Sequence, residues 1–263
     1  LDDRREDSAM RAVTCGEYVQ YVNIASLNQC GKVYPLSIAE GIQSGDIFTY
    51  EENNKAEVLF WAHCGFAYHS EYVSDVFIKE MYAHMIDKNI SRRFLLMTKN
   101  TKVENYFKLK KDVIIEKRYL FEYAYNEKNF KMLIPEGFEI KEVDESLLSK
   151  ISGNIVPSLF WKSAEDFLSR GKGYCVVHNE EVASWAFSAA VSSQEIDIGI
   201  ETNLKYQKQG LGMIVAKRMM QYAIEQGKKP VWACHYKNTA SAKMAEKLGF
   251  VKTGECTIIK RKM

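Results

Sequence analysis

Two glycines in the second half of the chain lie where a ligand could approach the backbone closely. Gly210 and Gly212 follow a stretch in which Ile196, Ile198 and Ile200 alternate with polar or small residues, as in a β-strand. After Gly212 the apolar residues recur at helical spacing. A glycine-rich turn between a strand and a helix exposes the N–H groups of the first helical turn, with the positive end of the helix dipole behind them. The sequence therefore predicts a binding site for phosphate or pyrophosphate.

Two common phosphate-binding motifs do not fit this turn. The Rossmann pattern requires a third glycine, and Val215 stands at that position. A P-loop requires Gly-Lys-Ser or Gly-Lys-Thr, which this turn lacks. The identity of the anion must therefore come from the neighbouring sequence.

The turn belongs to a pair of motifs. Residues 207–212 read Q-x-x-G-x-G, and residues 238–241 read N-x-x-S and lead into E-K-L-G-F, which ends at Phe250. In this order, after a strand, the two motifs resemble the GNAT superfamily of acetyl-CoA-dependent N-acetyltransferases. The resemblance covers about residues 137–263 and implies an α/β (α+β) fold with a mixed central sheet flanked by helices. Within the superfamily the sequence looks most like the branch that includes the zwittermicin A resistance acetyltransferase, in which the N-terminal half is similar too.

The resemblance implies a site for acetyl-CoA as acetyl donor. The loop's backbone N–H groups, at Gln207, Gln209, Gly210 and Gly212, would hold the pyrophosphate, and Lys208 would add positive charge. The residues that the resemblance assigns to the cofactor are Ile200, Thr202, Gln207, Lys208, Gln209, Gly210, Leu211, Gly212, Asn238 and Ser241.

A gap between two strands is implied for the pantetheine arm. In the superfamily the strand before the loop, here 195–202, splays away from the strand after the helix, here 231–236. Unpaired backbone groups near Ile200 and Thr202 would bind the arm, and one N–H would polarise the thioester carbonyl. Asn238 either contacts the arm or caps the helix that follows it.

Acetylation of an amine requires a base, because a primary ammonium with a pKa of about 10 must first lose a proton. Glu195, Asp197 and Glu201 lie on the strand nearest the expected thioester and are candidates, with solvated strand positions as the alternative reading. Strict alternation points all three to the same side, and a bulge in the strand would break that parity.

The general acid is less clear from the sequence. Many relatives carry a tyrosine seven residues after the motif asparagine, and here that position is Ala245. Cys234, His235 and Tyr236 on the adjoining strand are the candidates, His235 first, and packing roles are the alternative. We expect no metal, because the histidines and cysteines lack convincing ligand spacing.

Composition excludes several classes of partner. The net charge is +2 with 46% apolar and 27% charged residues, so neither a nucleic acid nor a membrane is expected as a partner. The six cysteines form no C-x-x-C pair, which favours free thiols in a reducing cytoplasm. No apolar run is long enough to span a bilayer.

The chain is predicted to contain two domains. Residues 126–137, with Pro135, form the expected linker between an N-terminal α/β domain at 1–130 and a GNAT domain at 137–263. Residues 46–125 and 174–262 share an order of strands and helices, so the first half is predicted to be a degenerate GNAT-like repeat.

Local signals predict several turns and ends. Ser74 is expected to cap a helix, Asn179 and Glu180 to form a hairpin turn, and Asn53-Asn54 to join two strands. Pro35 is expected to break regular structure.

These observations favour an N-acetyltransferase that acts on an amine of a small molecule by direct attack in a ternary complex, as a monomer or homodimer. Antibiotic, amino sugar, polyamine and peptide amines remain open as acceptors. One alternative is a catalytically impaired acyl-CoA-binding or sensing module, suggested by Ala245. Another is a protein-interaction unit in which the glycine loop merely closes a helix.

Overall fold

The computed structural model describes residues 10–52, 55–124 and 130–262. They divide into two compact units, the first within 1–118 and 255–263 and the second within 119–254. The predicted domains, 1–130 and 137–263, have other bounds and stay a prediction about folding units. In these ranges no helix is both long enough and apolar enough to cross a membrane.

The first unit begins with a short strand and a 3-10 turn at Cys15–Tyr21 and continues as alternating strands and helices. Its elements are β1 (Arg11–Ala12), α1 (Val22–Ser26), α2 (Val33–Ala39), β2 (Gly45–Glu52), β3 (Lys55–Ala62), β4 (Phe66–His69), α3 (Asp75–Ile86), β5 (Leu95–Thr98), α4 (Thr101–Lys108) and β6 (Val113–Tyr123).

Strands β1 to β4 pair antiparallel with their neighbours in chain order, and β4 pairs parallel with β5. The parallel pair is connected through α3, whose apolar side chains, among them Phe77 and Met81, are buried in the same cluster as Leu96 and Phe107. Ser74 caps α3 as predicted, because its side-chain oxygen accepts the N–H of Phe77 at 3.1 Å. The core of this unit therefore lies between the sheet and the helices α3 and α4.

The second unit repeats this plan with longer central strands. Its elements are β7 (Glu139–Glu142), α5 (Glu145–Lys150), α6 (Pro157–Phe160), α7 (Ala164–Arg170), β8 (Gly173–His178), β9 (Glu181–Val191), β10 (Glu195–Thr202), α8 (Leu211–Glu225), β11 (Lys229–His235), α9 (Thr239–Lys247) and β12 (Phe250–Arg261). Strands β6 and β12 have residues in both units.

Strands β7 to β10 pair antiparallel in chain order, and β10 pairs parallel with β11 through the connecting helix α8. Helix α8 packs on β8, β9 and β10 with a buried face that includes Leu211, Ile214 and Val215. These residues recur at three- and four-residue spacing, which explains why the apolar pattern after Gly212 folds as a helix. The buried face fixes the direction in which the N-terminus of α8 points.

The two units therefore share one order of elements and one sense of pairing. Each has four antiparallel strands, a helical crossover, a parallel fifth strand and a further helix. This agreement confirms the predicted α/β class with a mixed sheet flanked by helices, and it supports the predicted internal repeat.

Two local predictions have clear outcomes. The turn at Asn179 and Glu180 is confirmed, since both residues have positive φ, 47° and 66°, between β8 and β9. The break at Pro35 is wrong, because Pro35 lies in the first turn of α2. Proline is tolerated there since its missing N–H has no acceptor within the helix. The Asn53-Asn54 turn lies outside the described residues.

Candidate active site

The crossover from β10 to α8 leaves the start of a 15-residue helix open. Gly210 precedes α8 with φ 78°, and no side chain caps the helix there. Lys208 also has positive φ, 63°, whereas the intervening Gln209 does not. Alternating backbone conformations of this kind form concave nests of N–H groups that bind anions. The turn therefore has the backbone geometry expected for a phosphate site.

The two glycines of the turn have different tasks. A Cβ built on Gly212 would lie 3.2 Å from both Met244 Cε and Thr202 Oγ1, so the absence of a side chain lets α8 approach β10 and α9 closely. A Cβ built on Gly210 would meet nothing within 4 Å. Gly210 thus provides the left-handed turn and leaves space on the side of the open helix end.

Strands β10 and β11 separate towards this helix end. Their parallel ladder joins only Glu195–Asp197 to Lys229–Val231, although β10 continues to Thr202 and β11 to His235. The backbone of residues 198–202 pairs with β9 on its other side. The backbone of this stretch is not paired with β11, and the carbonyl oxygen of Thr202 has a long contact of 3.4 Å from Gln207 Nε2.

A cavity of about 550 Å³ occupies this region. Nine of the ten residues assigned to the cofactor line it: Ile200, Thr202, Gln207, Lys208, Gly210, Leu211, Gly212, Asn238 and Ser241. The tenth, Gln209, lines an adjoining cavity with Gly210, Lys131 and Lys217, in which Lys217 Nζ donates to the carbonyl oxygen of Lys131 at 3.0 Å. The sequence motifs therefore converge in space.

Four further large side chains of the cavity were not anticipated from the sequence. They are Tyr206, Met213, Trp232 and Met244, and Trp232 Nε1 donates to Ser241 Oγ at 3.0 Å. Met244 lies one helical turn after Ser241, so helical spacing on α9 could have identified it. No comparable signal marked Trp232 or Tyr206.

Tyr206 is held by a small polar cluster. Its hydroxyl donates to Glu181 Oε2 at 2.5 Å, and Lys205 Nζ donates to the same oxygen at 2.7 Å. The hydrogen bonds from Lys205 and Tyr206 lower the pKa of Glu181, and the bond to Glu181 raises the pKa of Tyr206. Tyr206 therefore stays a neutral donor, and the cluster secures the start of the glycine loop.

Two predicted cofactor residues also have partners within the protein. The N–H of Gln207 donates to the carbonyl oxygen of Leu204 at 3.4 Å, a long contact that leaves the N–H weakly bound. Asn238 Oδ1 accepts the N–H of Ser241 at 3.1 Å and caps α9. Since Asn238 also lines the cavity, capping and ligand contact are compatible.

Of the three candidate carboxylates, only Glu201 lines the cavity. Glu195 and Asp197 are buried within the paired part of β10, at 9% and 6% exposure. The ladder with β9 shifts register between Asp197 and Ile198, so a bulge does lie between the candidates, with Ala189 as the extra residue on β9. Strand alternation alone therefore did not predict which carboxylate reaches the site.

The candidate proton donors on β11 lie away from the cavity lining. His235 Nδ1 accepts the N–H of Lys237 at 3.2 Å, and its ring centroid is 4.8 Å from that of Tyr236. Cys234 is buried, and Ala245 is fully buried on α9. Within the described chain, none of these four residues contacts the cavity.

Comparisons with known proteins agree with this geometry. A model of the GNAT acetyltransferase family matches residues 28–259. An uncharacterized N-acetyltransferase of Bacillus subtilis (strain 168), YdfB, is 31% identical over 174 residues, and the match spans 64% of this chain and 66% of that protein, about two thirds of its length.

Solved structures show the same fold. A GCN5-related N-acetyltransferase-like protein from Streptococcus suis superposes with a TM-score of 0.74 at 21% identity, over 95% of this chain and all (100%) of that one. A tandem GNAT protein from the clavulanic acid biosynthesis pathway superposes with a TM-score of 0.60 at 8% identity, over 96% of this chain and 98% of its own. With a family model that matches most of its length, this chain belongs to the GNAT acetyltransferase family.

Proposed function

We propose that this chain is an acetyl-CoA-dependent N-acetyltransferase that transfers an acetyl group to an amine of a small molecule by direct attack in a ternary complex. One observation carries the proposal: the open N-terminus of α8 and the separated ends of β10 and β11 line a single cavity. A pyrophosphate requires the first feature, and an extended amide-containing arm requires the second.

The residues present fit acetyl-CoA, which supplies an activated acetyl thioester when bound. The N–H groups of Gln209, Gly210 and Gly212 would hold the pyrophosphate, with Lys208 adding charge. Backbone groups between Ile200 and Thr202 would pair with the amides of the arm. An N–H in this part of β10 would donate to the thioester oxygen and stabilise negative charge that develops there.

The amine must lose a proton before it attacks. The candidates for this base are Glu195, Asp197 and Glu201, acting directly or through a chain of water. Of these, Glu201 is the carboxylate at the cavity, and Glu195 and Asp197 would each need a relay.

The thiol product is a moderate leaving group. A free thiol has a pKa of about 8.5, so it can depart as thiolate near neutral pH without a strong acid. We propose this route because Ala245 stands where many relatives have the tyrosine that donates a proton. His235, acting through water, is the proposed donor if the thiolate is protonated as it leaves. The same proposal includes a small-molecule amine as acceptor, a relation to the zwittermicin A resistance branch and a cytoplasmic location.

A second candidate function is acyl-CoA sensing without transfer. Ala245 and the distance of the β11 donors from the cavity lining favour it. It shares the cofactor site with the first candidate and differs only in turnover.

Two measurements decide between these functions. Calorimetry with acetyl-CoA is expected to show binding, and absence of binding would overturn both. A panel of small amines assayed for free thiol is expected to reveal at least one acceptor. Binding without thiol release from any amine would favour the sensor.

A further inference from the structure

Glu201 is already engaged by another part of the second unit. Its Oε2 accepts the backbone N–H of Asn154 at 2.7 Å and that of Ile155 at 2.6 Å, and its Oε1 lies 3.4 Å from Asn154 Nδ2. These donors belong to the connection between α5 and α6. A carboxylate that accepts two backbone N–H groups holds the intervening peptide in one orientation.

Trp185 holds the same connection from the neighbouring strand. It lies directly opposite Glu201 in the β9–β10 ladder, and its Nε1 donates to the carbonyl oxygen of Ile155 at 2.8 Å. Trp185 is 2% exposed, so its ring is fixed by packing. The backbone N–H of Ile155 is therefore bound by a side chain of β10, and its carbonyl oxygen by a side chain of the neighbouring strand β9.

Gly153 makes this close approach possible. A Cβ built at that position would meet Glu201 Oε2, so a larger residue would displace the carboxylate from its two N–H donors. Residues 153–155 are themselves exposed, although their backbone is anchored. Segment 153–155 is thus exposed to solvent on one side, and on the other it contacts Glu201, which lines the cavity.

We propose that Glu201 and Trp185 fix segment 153–155 as a wall where the acceptor approaches the cavity, and that Glu201 is a positioning residue rather than the general base. The inference rests on the proposed acetyl transfer for the role of the wall. Proton uptake at either oxygen of Glu201 would remove the negative charge that strengthens its hydrogen bonds from the N–H groups of Asn154 and Ile155. Service as a base would therefore weaken the hold on the segment.

The first test needs no substrate. Amide hydrogen exchange of Asn154 and Ile155 is measured in the full chain, in Glu201→Ala and in a matched control, Glu165→Ala. Glu165 is an exposed carboxylate on α7 that does not line the cavity. We expect exchange in Glu201→Ala to rise by at least about tenfold, since hydrogen bonds to a carboxylate are lost. The hold of Glu201 and Trp185 on segment 153–155 is called the clamp below, and equal exchange in Glu201→Ala and the control would overturn it.

The second test separates positioning from base catalysis. Glutamine at 201 keeps one carbonyl oxygen, whose two lone pairs can accept both backbone N–H groups that meet at Oε2, and it cannot take up a proton. We therefore expect Glu201→Gln to keep kcat within a few-fold and the acid limb of its pH profile, while Glu201→Ala and Trp185→Phe raise the acceptor KM. A base would instead lose on the order of 100-fold to 10,000-fold in kcat with glutamine, together with the acid limb, and this result would overturn the proposal.

The two proposals fail separately. If the unaltered chain binds no acetyl-CoA, the proposed function falls while the exchange measurement still decides whether the clamp exists. If it acetylates an amine but exchange at Asn154 and Ile155 is unaffected by Glu201→Ala, the clamp alone falls. Trp185→Phe, which removes the donor to the carbonyl oxygen of Ile155, serves in the exchange measurement if Glu201→Ala does not fold.

Discussion

The crossovers β4–α3 and β10–α8 occupy the same place in the two units, but the helices to which they lead begin differently. At the start of α8 there is a left-handed Gly210 and no capping side chain. At the start of α3, Ser74 caps the helix, and the N–H of Ser74 donates to Oε2 of Glu57 at 2.6 Å. Glu57 is fully buried. In the first unit, a carboxylate of the protein thus takes a position comparable to that proposed for a ligand's phosphate in the second.

The ends of the parallel strands also differ between the two units, since they are linked in the first and separated in the second. The β4–β5 ladder joins Phe66–Tyr68 to Leu95–Met97, and each strand ends one residue later. The terminal residues His69 and Thr98 are linked by a 2.8 Å hydrogen bond between Nε2 and Oγ1. Strands β10 and β11 continue well past their ladder without pairing to each other.

The comparison shows that topology alone does not make a binding site. Both units have a parallel strand pair and a helix that starts beside it, which is where α/β sheets place ligands. Among the described residues, only the second has a helix that begins without a side-chain cap beside two strands that continue past their ladder without pairing to each other. A site therefore requires polar groups that the fold does not satisfy itself.

The largest effect is expected from closing the open crossover. Gly210→Trp should reduce acetyl-CoA affinity by on the order of 100-fold or more, about 2.7 kcal/mol, because an indole would fill the space beside the open helix end. Gly227→Trp is the matched control, since Gly227 has φ 69°, nothing within 4 Å of a built Cβ, and a place at the other end of α8. Titration calorimetry measures both, and retained affinity in Gly210→Trp would contradict the placement of the pyrophosphate.

The next effect concerns the closed crossover. Glu57→Ala should lower the free energy of unfolding by about 2–4 kcal/mol, because it leaves the N–H of Ser74 without its acceptor and creates a cavity. Glu57→Gln keeps an acceptor oxygen and should cost much less. Denaturant unfolding provides the measurement, and equal stability of the two variants would show that the hydrogen bond to Ser74 is not what closes this crossover.

A pair of helix caps compares the units directly. Ser74→Ala and Asn238→Ala should each cost about 1 kcal/mol of stability, since each removes a side-chain acceptor from a helix N-terminus. Only Asn238→Ala should also weaken acetyl-CoA binding, because Asn238 lines the cavity. Thermal unfolding and calorimetry on both variants test this, and weaker binding in Ser74→Ala would break the distinction between the units.

The smallest effect is on pH dependence. Burial lowers the pKa of His69 below its usual value, so the folded chain resists protonation that the unfolded chain accepts. The stability that depends on neutral His69 is present above the unfolded pKa of about 6.5 and is lost as the pH falls below it. The unfolding free energy of the unaltered chain should therefore fall relative to that of His69→Gln between pH 7 and pH 5. A difference that stays constant over this range would contradict the prediction.

Local signals in the sequence were sufficient for much of the fold and the cofactor loop. The alternation from Ile196 to Ile200, the glycine pair and the Ser74 cap depend on neighbouring residues, and the structure contains each of them. Pro35 was misjudged because the start of α2 is decided by burial, which includes Pro35 itself, rather than by local propensity.

Contacts between residues far apart in sequence decided which side chains line the cavity and which carboxylate reaches it. Trp232 and Tyr206 come from separate elements and reach the cavity through packing. The short β10–β11 ladder separates Glu201, which lines the cavity, from Glu195 and Asp197, which stay in the paired part of β10. Pairing between strands is non-local, so alternation within β10 could not reveal it.

By itself, the sequence determined the strand, the glycine turn and the helix that together form the candidate anion site, because those features follow from residue types at short spacing. The tertiary structure alone decided which backbone groups stay unpaired and which carboxylate is committed to segment 153–155. Those outcomes depend on which partner each polar group meets, and the partners come from parts of the chain far apart in sequence.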